Sequence, residues 1–211
     1  MIIAIEGASS DLSVALSQPD GTLIADDGWT TAQRQSAELL PRLMALLARA
    51  NRDLRDTTAV SVGVGPGSFT GLRVALALAK GLAFGLECPI VGVPSLDAWL
   101  SAHADAAAAL AQAGAQEAYL LTRGETVARI VDRRIAVEHI GDARIVAPSE
   151  LAEAFGLGGA EPPRAARAVG MMAAVRLADD PHGDDLRAME PIYVRAPRGV
   201  TTQGEGEVRW L

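Results

Sequence analysis

Apolar residues along the first 100 positions come in short runs that are separated by glycine- and proline-containing turns. Residues 2–6 and 59–65 are almost wholly apolar, which is typical of strands buried on both faces. Residues 12–16 and 22–26 flank a proline-aspartate-glycine turn and predict a β-hairpin. Leucines at helical spacing predict a first long helix over residues 32–50, although a proline inside it should bend the helix or delay its start.

The most apolar segment is a predicted helix at residues 71–86, which follows a glycine-rich turn and precedes another strand. Ser68 or Thr70 can cap its N-terminus. Arg73 and Lys80 are its only charged residues, so apolar or small side chains occupy two nearly opposite faces. A helix that is apolar nearly all round is buried on both sides. This helix is therefore either fully internal or packed between a sheet and a partner.

Beyond residue 103 the pattern is weaker and predicts a smaller second lobe. The alanine-rich run at 104–115 is typical of a helix end or a flexible joint. Three short runs predict a small antiparallel sheet and two longer runs predict helices, namely residues 118–121, 126–131 and 135–140, then 149–155 and 164–177. A last strand is predicted at 191–195. We therefore divide the chain into an N-terminal lobe at 1–103, a shortened C-terminal lobe at 104–196 and a loose tail at 197–211.

Composition and charge narrow the classes of protein. Hydrophobic residues make up 49% and charged residues 21%, as in ordinary globular proteins. The formal net charge of -7 weighs against a surface that binds nucleic acid directly, and the nearest candidates for a local basic patch are Arg123, Arg129, Arg133 and Arg134. The single cysteine, Cys88, excludes an internal disulfide. Because no basic leader and no membrane-length apolar stretch is found, we expect a cytoplasmic protein.

Motif searches reveal no catalytic set and no metal site. The chain lacks a P-loop, a dinucleotide-binding fingerprint, a serine-nucleophile motif and a pair of closely spaced histidines. The opening strands fit the phosphate-binding hairpin of an ATPase-like lobe or a plain meander. The glycine-rich turn can hold an anion at the helix N-terminus or can serve only as a tight turn. The residues of this weak anion- or nucleotide-binding candidate are Glu6, Ser9, Gly65, Gly67, Ser68 and Thr70.

Several segments together resemble a known bacterial family. Three of them form a nearly continuous signature: Gly65-Pro-Gly-Ser-Phe-Thr-Gly-Leu-Arg73, Ala79-Lys-Gly-Leu-Ala83 and Val91-Gly-Val-Pro-Ser-Leu96. Four shorter matches add support: Ile2-Ile-Ala-Ile-Glu-Gly-Ala-Ser9, Ser36-Ala-Glu-Leu-Leu-Pro41, Arg123-Gly-Glu125 and Glu190-Pro-Ile-Tyr-Val-Arg195. These segments resemble the TsaB (YeaZ) family of tRNA threonylcarbamoyladenosine biosynthesis proteins. The resemblance is dense over residues 1–100 and thin afterwards.

The resemblance implies an actin-like, two-lobed α/β fold with mixed sheets and flanking helices. It also implies a non-catalytic role in transferring a threonylcarbamoyl group to the adenosine next to the tRNA anticodon, with no required cofactor and at most weak nucleotide binding. The implied partners are a TsaD-like catalytic subunit, a TsaE-like ATPase and, in isolation, a second copy of the chain, with tRNA reached only through the complex. The alternatives are a stand-alone ATPase or kinase of the same fold and a glycoprotease-like peptidase.

The family binds its catalytic partner through helices of the first lobe. The resemblance therefore implies an interface at Leu39, Leu43, Met44, Arg73, Leu76, Ala77, Lys80, Gly81 and Phe84. Three positions depart from the family pattern, which usually has Asp where Glu6 stands, His where Gln35 stands and Glu where Ala37 stands. A carboxylate displaced by one methylene at Glu6 should weaken any role with a metal and nucleotide, so these departures favour a scaffold over an ATPase.

Overall fold

The computed structural model of the chain describes residues 1–32, 34–158 and 160–192. Within those ranges, ten strands form two five-stranded mixed sheets and six α-helices pack against them. The predicted α/β class with flanking helices is therefore confirmed. The predicted tail at 197–211 lies outside the described residues, and most of the predicted last strand at 191–195 does as well.

The first sheet is built mainly from the N-terminal half of the chain. Its strands are β1 (Ile2–Glu6), β2 (Asp11–Ser17), β3 (Leu23–Thr30), β4 (Ala59–Gly63) and β5 (Ile90–Val93). They lie in the order β3-β2-β1-β4-β5, with antiparallel pairing among the first three and parallel pairing of β1, β4 and β5. The predicted central strands and the hairpin are confirmed. In this part of the chain the apolar runs and the turn residues indicate the same elements.

Helices cover both faces of this sheet. One face carries α1 (Gln35–Arg49) and α2 (Phe69–Gly85), whose apolar side chains pack on Ile3 and Ile5 of β1 and on their neighbours. The opposite face carries α3 (Ser95–Ala102) and α6 (Ala166–Asp179). Successive residues of a strand point to opposite faces, so β1 contributes to both layers.

α1 tolerates Pro41 in its seventh position. An interior proline costs an α-helix about 3 kcal/mol, because it removes a hydrogen bond and clashes with the preceding turn. Burial of four leucines on the inner side of α1 offsets that cost, and these are Leu39, Leu43, Leu46 and Leu47. The predicted helix is confirmed, but it begins at Gln35.

The second sheet differs most from the sequence prediction. Its strands are β6 (Ala108–Gln112), β7 (Glu117–Thr122), β8 (Arg129–Asp132), β9 (Ile145–Val146) and β10 (Ala160–Glu161), in the order β10-β9-β6-β7-β8. The helix or joint predicted at 104–115 is wrong, since β6 is the central strand. Alanine favours helices intrinsically, but buried strand pairing on both sides of β6 overrides that preference.

The strand predicted at 135–140 is also wrong, because those residues belong to α4 (Arg133–Ile140). The carboxylate of Asp132 caps this helix by accepting a hydrogen bond from the Ile135 amide at 2.8 Å. Ala136 and Ile140, four residues apart, supply its buried face. The neighbouring α5 (Ser149–Phe155) ends where it was predicted to end.

The chain returns to the first lobe after the second sheet. α6 packs on β1, β2, β4 and β5, and residues beyond it run along the edge of β5, where Asp184 pairs with Ile90. The last described residues therefore complete the first lobe, although the chain reaches them only after the second sheet. None of the helices in the described ranges has the length and apolarity needed to cross a bilayer.

Candidate functional site

The outward side of α2 is an apolar surface that no other described residue covers. Its inward side is buried on the sheet, through Gly71, Leu72, Ala75, Leu76, Ala79 and Ala83. On its outward side Phe84 is 77% exposed and Phe69 is 46% exposed. Gly81 and Gly85 lie beside Phe84, and a Cβ added to either would meet no atom within 4 Å. The helix is therefore apolar on a side that faces away from its own fold.

α1 extends this surface. Leu40 and Met44 are 43% and 44% exposed, and exposed alanines lie on the same side of the helix. α1 and α2 contact each other on one face of the sheet, so their outward sides form a continuous surface. We call this surface the outer face, and its residues are Leu40, Met44, Phe69, Arg73, Ala77, Lys80, Gly81, Phe84 and Gly85.

Two cations border the outer face. The Arg73 guanidinium lies over the Phe69 ring, 3.8 Å from the ring centroid. The Lys80 ammonium donates to the carbonyl of Arg187 at 3.5 Å. No acidic side chain belongs to α2, so the border of the outer face along this helix is positively charged.

Three of the predicted interface residues do not lie on the outer face. Leu39, Leu43 and Leu76 are buried in the core between the helices and the sheet. The prediction is wrong for them because the sequence shows two apolar stripes on α2 and one broad apolar face on α1, and it does not say which part of each helix meets the sheet. The other six are exposed or half-buried on the outward side, namely Met44, Arg73, Ala77, Lys80, Gly81 and Phe84.

Leu40, Phe69 and Gly85 belong to the outer face but are not among the predicted interface residues. Leu40 directly precedes the helix proline, and Phe69 lies in the glycine-rich signature, before the predicted start of the helix at residue 71. The sequence contains a signal for Leu40. Leu40 and Met44 are four residues apart, as are the buried Leu39 and Leu43, and each follows its buried counterpart directly in the chain.

The glycine-rich turn fits against the loop that follows β1. Ser68 caps α2 through a hydrogen bond from the Gly71 amide at 3.3 Å, and its own amide donates to the Ala8 carbonyl at 2.6 Å. A side chain at Gly67 would overlap the Ala8 carbonyl, and one at Gly71 would overlap the carbonyl of Gly7. Of the two predicted caps, Ser68 is confirmed. The glycines are needed here for close packing of two backbones.

Glu6 is completely buried at the end of β1. Its Oε1 accepts hydrogen bonds from the Ala8 amide at 2.7 Å and the Ser95 hydroxyl at 3.2 Å, while Oε2 has no hydrogen-bond partner. Burial raises the pKa of this carboxyl to about 7, against a smaller lowering by those hydrogen bonds. Trp99 Nε1 lies close enough to favour the charged form but makes no hydrogen bond of normal geometry. Glu6 therefore belongs to an internal network and has no access to a ligand.

Four of the five remaining anion-site candidates lie at a large cleft between the lobes. The cleft has a volume of about 1790 Å³, and Ser9, Gly67, Ser68 and Thr70 line its first-lobe side. The Ser9 hydroxyl is used within its own turn, where it accepts from the Asp11 amide at 3.0 Å. Gly65 is not part of the lining. The structure therefore brings four of the six candidates to one cleft and separates Glu6 and Gly65 from it.

The charged lining of the cleft is mixed in sign. Arg133 and Arg134 supply two positive charges, whereas Glu117, Asp132 and Glu150 supply three negative ones, which leaves a formal charge of -1. The Arg133 side chain already donates to the Phe155 carbonyl at 3.1 Å. A nucleotide triphosphate needs a surplus of positive charge or a bound cation. Among the residues that the structure describes, the lining does not supply that surplus.

The four arginines considered as a basic patch have separate partners. Arg123 donates to backbone carbonyls of the loop after α3, and Arg129 contacts the His139 ring. Arg134 forms an ion pair with Glu138 at 3.6 Å. Of the four, Arg133 and Arg134 line the cleft, whereas Arg123 and Arg129 are not part of its lining. In the described part of the chain, no three histidine, cysteine or acidic side chains cluster where they could hold a metal ion.

Comparison with known proteins identifies the family of the chain. Residues 30–173 match the protein family described as "TsaD: tRNA N6-adenosine threonylcarbamoyltransferase". A stretch of 96 residues, 45% of this chain, is 40% identical to the tRNA threonylcarbamoyladenosine biosynthesis protein TsaB of Escherichia coli (strain K12), and it covers 40% of that protein. The uncharacterized protein Mb3455c of Mycobacterium bovis is 31% identical over 200 residues, which cover 93% of this chain and 92% of that protein.

Among solved structures, YeaZ from Pseudomonas aeruginosa is similar in fold, with a TM-score of 0.68 and 23% sequence identity over 92% of this chain and 99% of that one. The chain thus has the same fold as this YeaZ protein, as the family resemblance implied. The chain matches less than half the length of its curated TsaB relatives.

Proposed function

The chain belongs to the family described as TsaD: tRNA N6-adenosine threonylcarbamoyltransferase and is a protein of its TsaB/YeaZ type, and from this premise we propose that it is a non-catalytic subunit of a complex that makes threonylcarbamoyladenosine in tRNA. In this proposal the chain binds a TsaD-like catalytic subunit through the outer face. A TsaE-like ATPase joins the complex, tRNA is bound only through the complex, and the chain itself requires no cofactor.

The outer face is the observation that carries the proposal. Exposed apolar surface costs about 25 cal/mol for every Å² left in water, so a large aromatic side chain such as Phe84 gains free energy when a partner covers it. A contiguous exposed apolar patch usually marks an interaction site. Here the patch lies on two long helices anchored to the central sheet, which gives a partner a rigid surface.

The shape of the outer face favours a helix as the contacting element. Gly81 and Gly85 are four residues apart, and the space beside both is open. Two helices can approach closely where such positions carry no side chain, and the ridge beside them, here Phe84, can enter a groove of the partner. The positive border at Arg73 favours a partner surface with acidic side chains at its rim.

The buried carboxyl and the cleft support a non-catalytic role. An actin-like ATPase needs an accessible carboxylate for its metal and nucleotide, whereas Glu6 is enclosed by Ala8, Gly63 and Ser95. The mixed charge of the cleft gives no reason to expect tight phosphate binding. Both observations favour a scaffold over the stand-alone ATPase or kinase.

The proposal is tested by two variants of matched exposure. Phe84→Glu changes a side chain that is 77% exposed on the outer face, and Val127→Glu changes one that is 75% exposed on the second lobe. We expect Phe84→Glu to weaken binding to the TsaD-like subunit of the same organism at least 10-fold in a calorimetric titration, with no change for Val127→Glu. Equal affinity of Phe84→Glu and the unmodified chain contradicts the assigned interface.

Reconstitution tests the role itself. tRNA modification by the purified TsaD-like and TsaE-like proteins should require this chain, and Phe84→Glu should fail to restore it. ATP turnover by the isolated chain that disappears in Glu6→Gln supports the ATPase alternative instead. In isolation the outer face should mediate a dimer, so gel filtration of Phe84→Glu should give a smaller species than Val127→Glu.

A further inference from the structure

Arg123 connects the second lobe to α3. Its guanidinium donates three hydrogen bonds to backbone carbonyls, from Nη2 to Leu100 at 2.8 Å and to His103 at 2.6 Å, and from Nε to Ala106 at 2.8 Å. Its own amide donates to the Ala107 carbonyl at 2.8 Å. A single side chain from the second sheet therefore binds the C-terminal end of α3 and the loop that follows it.

The chemistry of this contact suits arginine alone. The last carbonyls of a helix lack intrahelical donors and carry the negative end of the helix dipole. A guanidinium presents several N–H groups in a fixed plane, so it can satisfy three carbonyls at once while its charge is favourable at that helix end. Lysine has the charge but not the rigid geometry.

The other end of α3 is fastened to the first sheet. The Ser95 amide donates to the Gly65 carbonyl at 2.8 Å, and the Ser95 hydroxyl accepts from the Gly65 amide at 3.0 Å and donates to Glu6. Between these ends Leu96 and Trp99 are buried in a core shared with strands of both sheets. α3 is thus held at both ends and enclosed between the lobes.

A second set of contacts holds the loop between α3 and β6. Asp105 forms an ion pair with Arg144 at 2.5 Å, and the Ala107 amide donates to the Arg144 carbonyl at 2.8 Å. This pair is exposed, so its contribution is small. The Arg123 contacts add directional hydrogen bonds to the apolar core that the two sheets share.

We propose that Arg123 locks the two lobes at a single angle, so that the cleft keeps one width and does not close on a ligand. Proteins that close around a nucleotide absorb the motion in a few residues at a hinge. The chain crosses between the lobes twice, and the first crossing, the loop after α3, is bound to Arg123. This inference does not depend on the proposed function, because it concerns the chain in isolation.

Distances between spin labels on the two lobes test the proposal. The labels are placed at Asp26→Cys on the edge strand β3 and at Glu153→Cys on α5, in a Cys88→Ser background, and both positions are exposed. The labelled chain is diluted with unlabelled chain so that only distances within one molecule are measured. Pulsed electron paramagnetic resonance then gives the width of the interlobe distance distribution.

We expect one narrow distribution for the parent chain, unchanged by Mg-ATP, and at least a two-fold broader one for Arg123→Gln. Arg123→Lys should broaden the distribution as well, because lysine keeps the charge but lacks the planar set of N–H donors. Arg134→Gln, which changes only an exposed ion pair with Glu138, should leave the width unchanged. The proposal is overturned by an unchanged width in Arg123→Gln, or in Arg123→Lys if Arg123→Gln does not fold. It is equally overturned by a parent distribution that shifts with Mg-ATP.

Discussion

The hydroxyl of Ser95 donates a hydrogen bond to the buried carboxylate of Glu6, although the two residues are 89 positions apart in the chain. Together they join the end of β1, the start of α3 and the turn before α2. Because this junction lies under the turn that begins α2, changes in it should reach the outer face.

Glu6 should make the stability of the folded chain depend on pH. Its pKa is about 7 when folded and near 4.5 when unfolded, so between these values only the folded chain holds the proton. The free energy of unfolding should therefore fall as the pH rises from 4.5 through 7, by about 3 kcal/mol in all. Glu6→Gln should abolish this fall, as measured by urea unfolding at pH 5 and pH 8.

The control for this prediction is Glu153→Gln on the exposed side of α5, which should keep the pH dependence of the parent chain. An identical pH dependence in Glu6→Gln and the parent would show that Glu6 does not titrate as a buried carboxyl.

Ser95→Ala should destabilise the chain. It leaves the Gly65 amide without its acceptor and removes one donor from Glu6, and an unpaired buried polar group costs roughly 1–3 kcal/mol. Since the hydrogen bond from Ser95 lowers the pKa of Glu6, the loss should also move the pH-dependent fall to higher pH. Ser101→Ala, on the exposed part of the same helix, should change neither the midpoint of urea unfolding nor its pH profile.

Replacement of two glycines in α2 by alanine should change the stability of the chain in opposite directions. At Gly71 the new methyl group would overlap the Gly7 carbonyl, so Gly71→Ala should destabilise the chain and displace the start of the helix. At Gly81 the space is open, so Gly81→Ala should stabilise the isolated chain by about 1 kcal/mol through helix propensity. Thermal unfolding of both variants measures the difference.

Gly81→Ala should weaken partner binding although it stabilises the isolated chain. If a helix of the TsaD-like subunit lies against this position, the added methyl group keeps it away, and Gly81→Ala should bind more weakly although it is more stable. A Gly81→Ala chain that is both more stable and equally tight in binding would place the partner elsewhere.

Asp184 should hold the returning chain against β5. Its carboxylate accepts from the Gly92 amide at 2.8 Å and pairs with Arg176 at 2.5 Å, and these interactions keep the pKa of Asp184 below its usual value despite partial burial. Asp184→Asn should speed hydrogen exchange at the Gly92 amide, which mass spectrometry of the β5 peptide detects. Asp179→Asn, exposed at the end of α6, is the matched control and should leave that exchange rate unchanged.

The sequence predicts the first lobe well because several local signals agree there. The apolar run of β4, the serine cap at Ser68 and the buried strand β5 each point to the same strand-turn-helix-strand unit, and the structure confirms it. The prediction for the second lobe is wrong where the local sequence signals and the tertiary pairing conflict. At β6 alanine content favours a helix while the tertiary pairing requires a strand, and only the fold reveals that pairing.

The candidate site shows a different limit. The apolar character of α2 is visible in the sequence, but its orientation depends on which stripe meets the sheet. That choice separates Leu76, which is buried, from Phe84, which is exposed. The burial of Glu6 is equally invisible, because it depends on Ser95 and Trp99 from a later helix. Periodicity gives the faces of a helix, whereas the direction of each face comes from long-range packing.

The return of α6 to the first sheet has a consequence for synthesis on the ribosome. Until α6 emerges, the face of β1 and β2 that it covers stays open to water, because α1 and α2 protect only the opposite face. The first lobe is thus begun by the earliest residues but finished by residues made after the second sheet. A nascent chain that stops before α6 exposes apolar strand surface, and it becomes a substrate for chaperones or proteases instead of a half-size folded domain.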